Sequence, residues 1–354
     1  MKGADIKRLI KPEIKRLRPY VAEDTPCSVK LDANESPYGF EAYISSMKEI
    51  KTNRYPDPEA KELRKVVAKR WGVSSENILH GNGSDELIHY IVTVFGGPVL
   101  YPVPTFSMYG IISRAMGERT IEVPLTDEFD LDLPEILLTI KRERPRLIFL
   151  SSPNNPTGNC FSSESIMKII ENSGSVVVLD EAYQPFSSKK GFIPLLRDYR
   201  NLLIMRTLSK IGLASLRIGF LIGSPDIIAA INKVRLPFNI NSYSQAIAVR
   251  ILKEKGLIER SIKNIISERE RLYSAMSSIK GIRPYPSEAN FILFRVKEAD
   301  RVHKALLRKG ILIRNMDGQV KGCLRVTVGN ERENSLFLDA LDNIVKQGQR
   351  EALQ

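Results

Sequence analysis

From about residue 72 to 235 of the 354-residue chain, short apolar runs alternate with helical patterns, and this alternation constrains the fold more than any other feature. Six runs read as strands: Pro98–Tyr101, Arg119–Val123, Leu147–Ser151, Ser175–Leu179, Leu202–Met205 and Gly219–Ile222. The run Val176-Val177-Val178-Leu179 carries no polar residue at alternate positions, the pattern of a strand covered on both faces. Such repetition predicts an α/β fold with a mainly parallel sheet. Beyond it, a helical stretch from Ser242 to about Ile279 leads to strand Asn290–Val296, helix Asp300–Lys309, strands Ile311–Arg314 and Cys323–Val328, and helix Arg332–Val345. That βαββα tail is too short for a second wound sheet and predicts a small α+β domain. Residues 1–35 read as an arm: a basic amphipathic helix, then Arg18-Pro19-Tyr20 and the segment Leu31 to Pro37, where prolines impose extended or turning backbone. A helix over 58–71 stops at Gly72. The expected division is an arm (1–35) joining the small domain, a large domain (36–238) and a small C-terminal domain (239–354).

Fifty-three Lys and Arg against 41 Asp and Glu give a net charge of +12, which suits either nucleic acid or small anions. Apart from the run between Lys2 and Arg18, the charges alternate in sign, as in Lys141-Arg142-Glu143-Arg144, which is the look of solvated helix faces. No nucleic-acid recognition motif accompanies the charge, so a nucleic-acid partner is not expected. Cys27, Cys160 and Cys323 are widely spaced and share the chain with three His, so neither a disulfide framework nor a metal site is expected. The apolar runs are far shorter than the roughly 20 residues a membrane span needs, and the chain reads as cytoplasmic.

In open α/β sheets ligands bind beyond the carboxyl ends of the strands, and four such junctions carry unusual residues. Gly81-Asn82-Gly83-Ser84-Asp85 opens a helical pattern, so it is either a plain capped helix or an anion cradle made by glycine backbone and a helix N-terminus. Ser152-Pro153-Asn154-Asn155-Pro156-Thr157-Gly158 closes the strand Leu147–Ser151, where Asn155 can present a fixed amide donor to a ligand; a rigid turn is the plainer reading. Asp180-Glu181-Ala182-Tyr183 ends another strand with a carboxylate, which either caps the next helix or meets a positive ligand atom, and the phenol of Tyr183 adds a second directed hydrogen bond. Lys210, in Arg206-Thr207-Leu208-Ser209-Lys210, would ordinarily be a solvated charge. It comes after an apolar strand and two hydroxyls and precedes the uncharged Ile211-Gly212-Leu213-Ala214-Ser215, so it can be held out of bulk water as an amine nucleophile. An amine, a carboxylate, oxygen-binding donors and an anion site together make the set that a pyridoxal cofactor needs.

On these motifs the chain resembles the fold-type I pyridoxal-phosphate-dependent aminotransferases, and within them the histidinol-phosphate aminotransferase family. The likeness runs from Arg18-Pro19-Tyr20 to the segment Gly322 to Gly329. It implies a cofactor bonded to Lys210, which also moves the substrate proton, with Asp180 on the ring nitrogen, Asn155 and Tyr183 on the ring oxygen and Phe106 on the ring face. It also implies a phosphate held by Gly83, Ser84, Asp85, Thr207, Ser209 and Arg217. Asn53-Arg54-Tyr55-Pro56 resembles the family segment whose tyrosine reaches the neighbouring subunit's cofactor, which implies a homodimer with shared sites; a turn aromatic packing locally is the alternative. Tyr20, Asn34, Arg314 and Arg325 are implied to bind substrate, Arg325 gripping a carboxylate or phosphate with its planar fork. The implied reaction joins L-histidinol phosphate and 2-oxoglutarate, with threonine-phosphate decarboxylation and aromatic or broad transamination as alternatives. Two departures stand out: many members have Tyr where Phe106 stands, and many have one more residue between the lysine and the arginine than separates Lys210 from Arg217.

Overall fold

The computed structural model describes residues 11–17, 25–43 and 50–351. Its strands are β1 (Val29–Leu31), β2 (Ile78–Asn82), β3 (Val99–Val103), β4 (Thr120–Pro124), β5 (Leu147–Ser151), β6 (Val176–Asp180), β7 (Leu202–Thr207), β8 (Ile218–Ile222), β9 (Ile282–Pro284), β10 (Phe291–Val296), β11 (Ile311–Asn315) and β12 (Cys323–Thr327). They form two sheets. The larger has the order β2-β8-β7-β6-β5-β3-β4, with β4, β3, β5, β6 and β7 parallel and β8 antiparallel to both its neighbours. The smaller has the order β1-β11-β12-β10-β9; β1 pairs with β11 in parallel, so residues 29–31 close an otherwise antiparallel sheet. The expected α/β architecture with a mainly parallel large sheet and an α+β tail is what forms.

The central strands show why the run 176–179 lacks polar residues. Ile148, Leu150, Val177, Leu179, Leu202 and Ile204 pack into one apolar cluster, while Leu147, Phe149, Val178, Leu203 and Met205 pack into another. Successive side chains point to opposite faces of the sheet, so covering both faces requires an unbroken apolar run. Each such side chain, taken fully from water, contributes about 2 kcal/mol.

Three expectations are revised. Gly81 and Asn82, read as opening a helical pattern, instead end β2, which pairs along its length with β8, and the helix Gly83–Phe95 starts at once. Only Ile78 and Leu79 are strongly apolar there, so sheet pairing overrides a weak local signal. The stretch 242–279 is broken into helices Ser242–Lys253 and Leu257–Ser277 at Gly256, whose φ of 72° lies in the left-handed region. The helix expected over 58–71 begins at Lys61, because Ala60 is itself left-handed. Of the basic N-terminal helix, Pro12–Lys15 is seen, Arg16 and Leu17 lie beyond its end, and residues 1–10 and 18–24 lie outside the described residues. No helix among the described residues is long and apolar enough to cross a membrane.

Behind the sheet edge, Glu181 is fully buried and paired with Arg206 of β7, whose Nη2 and Nε lie 2.6 Å and 2.9 Å from Oε2. The other carboxylate oxygen accepts from the Phe192 N–H at 2.5 Å, fastening the 184–192 loop, and the Arg206 guanidinium also stacks over Trp71. Removing one partner of a buried pair strands the other charge. Arg206→Met is therefore expected to lower the unfolding free energy by about 3–5 kcal/mol, read as a lower midpoint in urea denaturation.

Candidate active site

Because β8 runs against β7, and β2 against β8, the carboxyl ends of β2, β5, β6 and β7 and the amino end of β8 share one edge of the sheet. Ser84 and Asp85 after β2, Ser151 and Asn155 from β5, Asp180, Ala182 and Tyr183 from β6, Thr207, Ser209 and Lys210 from β7, and Arg217 before β8 all line a cavity of about 110 Å³ there, with Phe106. A larger cleft of about 750 Å³ opens at the opposite edge, but its charged lining is only Lys141, Arg144 and Arg146, with no carboxylate or thiol. The chemistry sits in the smaller one.

Lys210 lies in a short 3-10 turn, Ser209–Ile211, and is half-buried. Its Nζ donates to the Ala33 carbonyl at 3.4 Å and stands 5.9 Å from the centre of the Tyr183 ring. Gly212 lets the chain turn directly afterwards: its φ is 99°, and a Cβ there would come within 2.7 Å of the Tyr38 carbonyl oxygen.

Asp180 is 4% exposed. Burial pushes its carboxyl up to about 6, against the hydrogen bonds and the nearby Lys210 charge that favour the ionised form. Oδ2 accepts from the Tyr109 hydroxyl at 2.7 Å and Oδ1 from the Ala182 N–H at 3.0 Å. The carboxylate is thus strand-borne and faces the cavity; no helix is capped by it.

Asn155 uses its amide oxygen to accept from Arg325 Nη1 at 2.5 Å, which leaves its NH2 group to donate. The Tyr183 hydroxyl accepts from Asn34 Nδ2 at 3.0 Å, leaving its own proton for another acceptor. Asn34 is buried in left-handed conformation and joined to the small sheet, its N–H donating to Thr327 Oγ1 at 2.9 Å and its carbonyl accepting from Asn290 Nδ2 at 3.0 Å. Arg325, on β12, donates to the Asp32 carbonyl at 2.8 Å and lies over the Phe291 ring. Arg314 is its register partner on β11, so the two guanidinium side chains leave the same face of the small sheet. Arg314 is half-buried and outside the cavity lining.

The remaining residues form the cradle. Gly83, the first residue of its helix, has φ 79°, and a Cβ on it would meet Arg217 Nη2 at 2.6 Å. Arg217 is left-handed as well and lies 3.5 Å from Asp85 Oδ2. Across from them the Thr207 and Ser209 hydroxyls are 3.0 Å apart. Helix N-terminus, guanidinium and hydroxyls converge as an anion site requires. Tyr55 stands apart: it is 81% exposed and stacks on Phe238 at 4.6 Å, outside the cavity of its own chain. Tyr20 lies outside the described residues.

Sequence reasoning missed Tyr109, Ser151 and Asn154. Asn154 is fully buried and fastens the proline loop, its amide donating to the Pro104 carbonyl at 3.0 Å and accepting from Thr105 at 2.8 Å. Tyr109 lies in the first turn of the helix Met108–Ala115, three residues beyond Phe106, and no local pattern marks its pairing with Asp180.

The chain belongs to the family of class I and II aminotransferases, whose model matches residues 27–341. Within that class it is a member of the histidinol-phosphate aminotransferases. It is 44% identical over 351 residues to the histidinol-phosphate aminotransferase of Aquifex aeolicus (strain VF5), covering 96% of this chain and 98% of that one. It is 42% identical to histidinol-phosphate aminotransferase 2 of Nitrosococcus oceani over 350 residues, 95% of this chain and 97% of the relative. Among solved structures, histidinol-phosphate aminotransferase from Sinorhizobium meliloti in complex with pyridoxal-5'-phosphate superposes with a TM-score of 0.87 at 27% identity, covering 96% and 98% of the two chains. The residues present fit that cofactor: a buried carboxylate held part-way to neutrality suits a cationic ring nitrogen, and the space a Cβ would fill at Gly83 suits a phosphate beside Arg217.

Asp180 gives a stability signature of its own. Its folded-state value of about 6 exceeds the unfolded value of 3.8, so the folded protein keeps a proton that the unfolded chain releases, and stability falls as pH rises through that window. In cofactor-free protein, Asp180→Asn is expected to gain about 2 kcal/mol on wild type between pH 4 and pH 7.5, measured by denaturant unfolding at both.

Proposed function

We propose that this chain transfers an amino group from L-histidinol phosphate to 2-oxoglutarate, giving imidazole acetol phosphate and glutamate, in histidine biosynthesis in the cytoplasm. The observation that carries this reading is that a lysine, a buried carboxylate and an anion cradle line one cavity in a chain that shares nearly its whole length with aminotransferases of that name. Pyridoxal phosphate, when bound, supplies an aldehyde for amines and a protonated ring that draws electrons from the substrate carbon.

The chain's residues do the rest. Lys210 would hold the cofactor through its amine, and as a free amine would move the proton between the substrate carbon and C4′ of the cofactor. Asp180 keeps the ring nitrogen protonated, while Asn155 and Tyr183 direct their donors at the ring oxygen. Phe106 covers the ring; as a phenylalanine it stacks without an added hydrogen bond. Gly83, Ser84, Asp85, Thr207, Ser209 and Arg217 take the phosphate. Arg325 and Arg314, with Asn34 and Tyr20, bind the anionic substrate, and the ties of Arg325 to Asn155 and Asp32 preset its fork. The exposed Tyr55 serves the phosphate of a second subunit, which makes the working unit a homodimer with shared sites.

Relatives named histidinol-phosphate aminotransferase at 44% and 42% identity favour this substrate over phosphothreonine decarboxylation or aromatic transamination. The purified protein is expected to form glutamate from histidinol phosphate and 2-oxoglutarate and to show a visible absorbance band that Lys210→Ala abolishes along with turnover. Carbon dioxide release from phosphothreonine without transfer to 2-oxoglutarate would overturn the substrate. Arg325→Gln is expected to lower kcat/KM for histidinol phosphate roughly 100-fold, the size of a lost charge-assisted anion contact.

A further inference from the structure

We propose that Tyr109 is a positioning residue for Asp180, its phenolic O–H holding Oδ2 so that the carboxylate stays ionised and aimed at the ring nitrogen of the bound cofactor. This role rests on the reading of Asp180 under Proposed function.

The geometry is specific. Tyr109 has no exposed surface, and its hydroxyl lies 2.7 Å from Asp180 Oδ2. Its ring is stacked on Phe149 at 4.7 Å with planes 10° apart and meets the edge of Phe106 at 5.5 Å, so the phenol is clamped on both sides. Burial first, then the Asp180 charge, raises the phenol well above its ordinary value, so it stays protonated and is always the donor in this pair. The Ala182 N–H fixes the other carboxylate oxygen. With one donor on each oxygen, the carboxylate cannot turn, and its remaining lone pairs are directed by the protein. The other groups acting on Asp180 are Lys210, which favours its charge, and Asp85, which opposes it, while Tyr183 lies beside the phenol. Each of these lines the cavity and has a contact of its own to make with the cofactor. Tyr109 lies outside the cavity lining and its hydroxyl, which Ser151 also neighbours, donates to the carboxylate; it stands three residues from the ring-covering Phe106, so one turn of chain sets both ring face and ring nitrogen.

A purely packing role would be served as well by phenylalanine. The test is Tyr109→Phe, which keeps the stacking and removes one hydroxyl, studied as holoprotein loaded with pyridoxal phosphate labelled with 15N in the ring. The expected result is a 15N resonance displaced toward its unprotonated position, the proton distribution between ring and carboxyl changing about tenfold, the size of one hydrogen bond to a charged group. Phe149→Leu, which disturbs the packing and spares the hydroxyl, should leave the resonance in place. Asp180→Asn is run in parallel. If it leaves the resonance unmoved, the reading of Asp180 fails; if it moves the resonance and Tyr109→Phe does not, only the role of Tyr109 fails. An equal displacement in Phe149→Leu would also overturn that role. Should Tyr109→Phe not fold, 3-fluorotyrosine at position 109, a stronger donor, must displace the resonance in the opposite sense, and no displacement would overturn the proposal.

Discussion

A carboxylate shut away from water at the end of β6 is the constraint that the surrounding structure answers. Asp180 is 4% exposed, and burial alone would drive it toward its neutral form. The fold counters this with three neighbours drawn from three places in the chain: the phenol of Tyr109, the Ala182 N–H and the amine-bearing turn at Lys210. Ala182 and Lys210 follow the ends of β6 and β7 at that edge, and Tyr109 reaches it from the helix Met108–Ala115 that follows β3. The neighbouring Glu181 faces away and is satisfied separately by Arg206 and the Phe192 N–H, so two consecutive carboxylates are held apart by the alternation of the strand.

The second organising feature is that the site is closed by residues of the small sheet. Asn34, next to β1, ties Tyr183 to Thr327 and Asn290, and Arg325 of β12 ties Asn155 to the Asp32 carbonyl. These bonds set the polarity of the cavity: the acceptor end of the Asn155 amide and one lone pair of the Tyr183 oxygen are occupied from outside, so donors face inward. An acceptor-rich ligand, such as a ring oxygen beside a phosphate, is complementary to that lining.

The fold was legible where side-chain pattern alone decides structure. Strands β3 to β8, the glycine that stops the helix at Trp71 and the tail from β10 onward come from apolar runs and turn residues. β2 and β9 did not, since Ile78-Leu79-His80-Gly81-Asn82 and Ile282-Arg283-Pro284 hold their conformation through pairing with β8 and β10 rather than through propensity. β1 escaped for the same reason, being set by its parallel partner β11 near the other end of the chain. The cavity-lining residues after β2, β5, β6 and β7 were readable because ligand sites in such sheets lie beyond the strand ends.

The sequence by itself determined the alternating α/β layout, the chemical types gathered for the site and the family to which they belong, because these depend on composition, period and local motif. Tertiary structure alone decided which of those groups meet. That Arg217, ahead of a strand, faces the same cavity as residues placed after strands is a consequence of β8 running backwards. That Tyr109 donates to Asp180 across 71 residues, and that Asn34 and Arg325 orient Tyr183 and Asn155 from the other sheet, depends on the packing of distant segments, and a buried polar group takes its partner from whatever the fold places beside it.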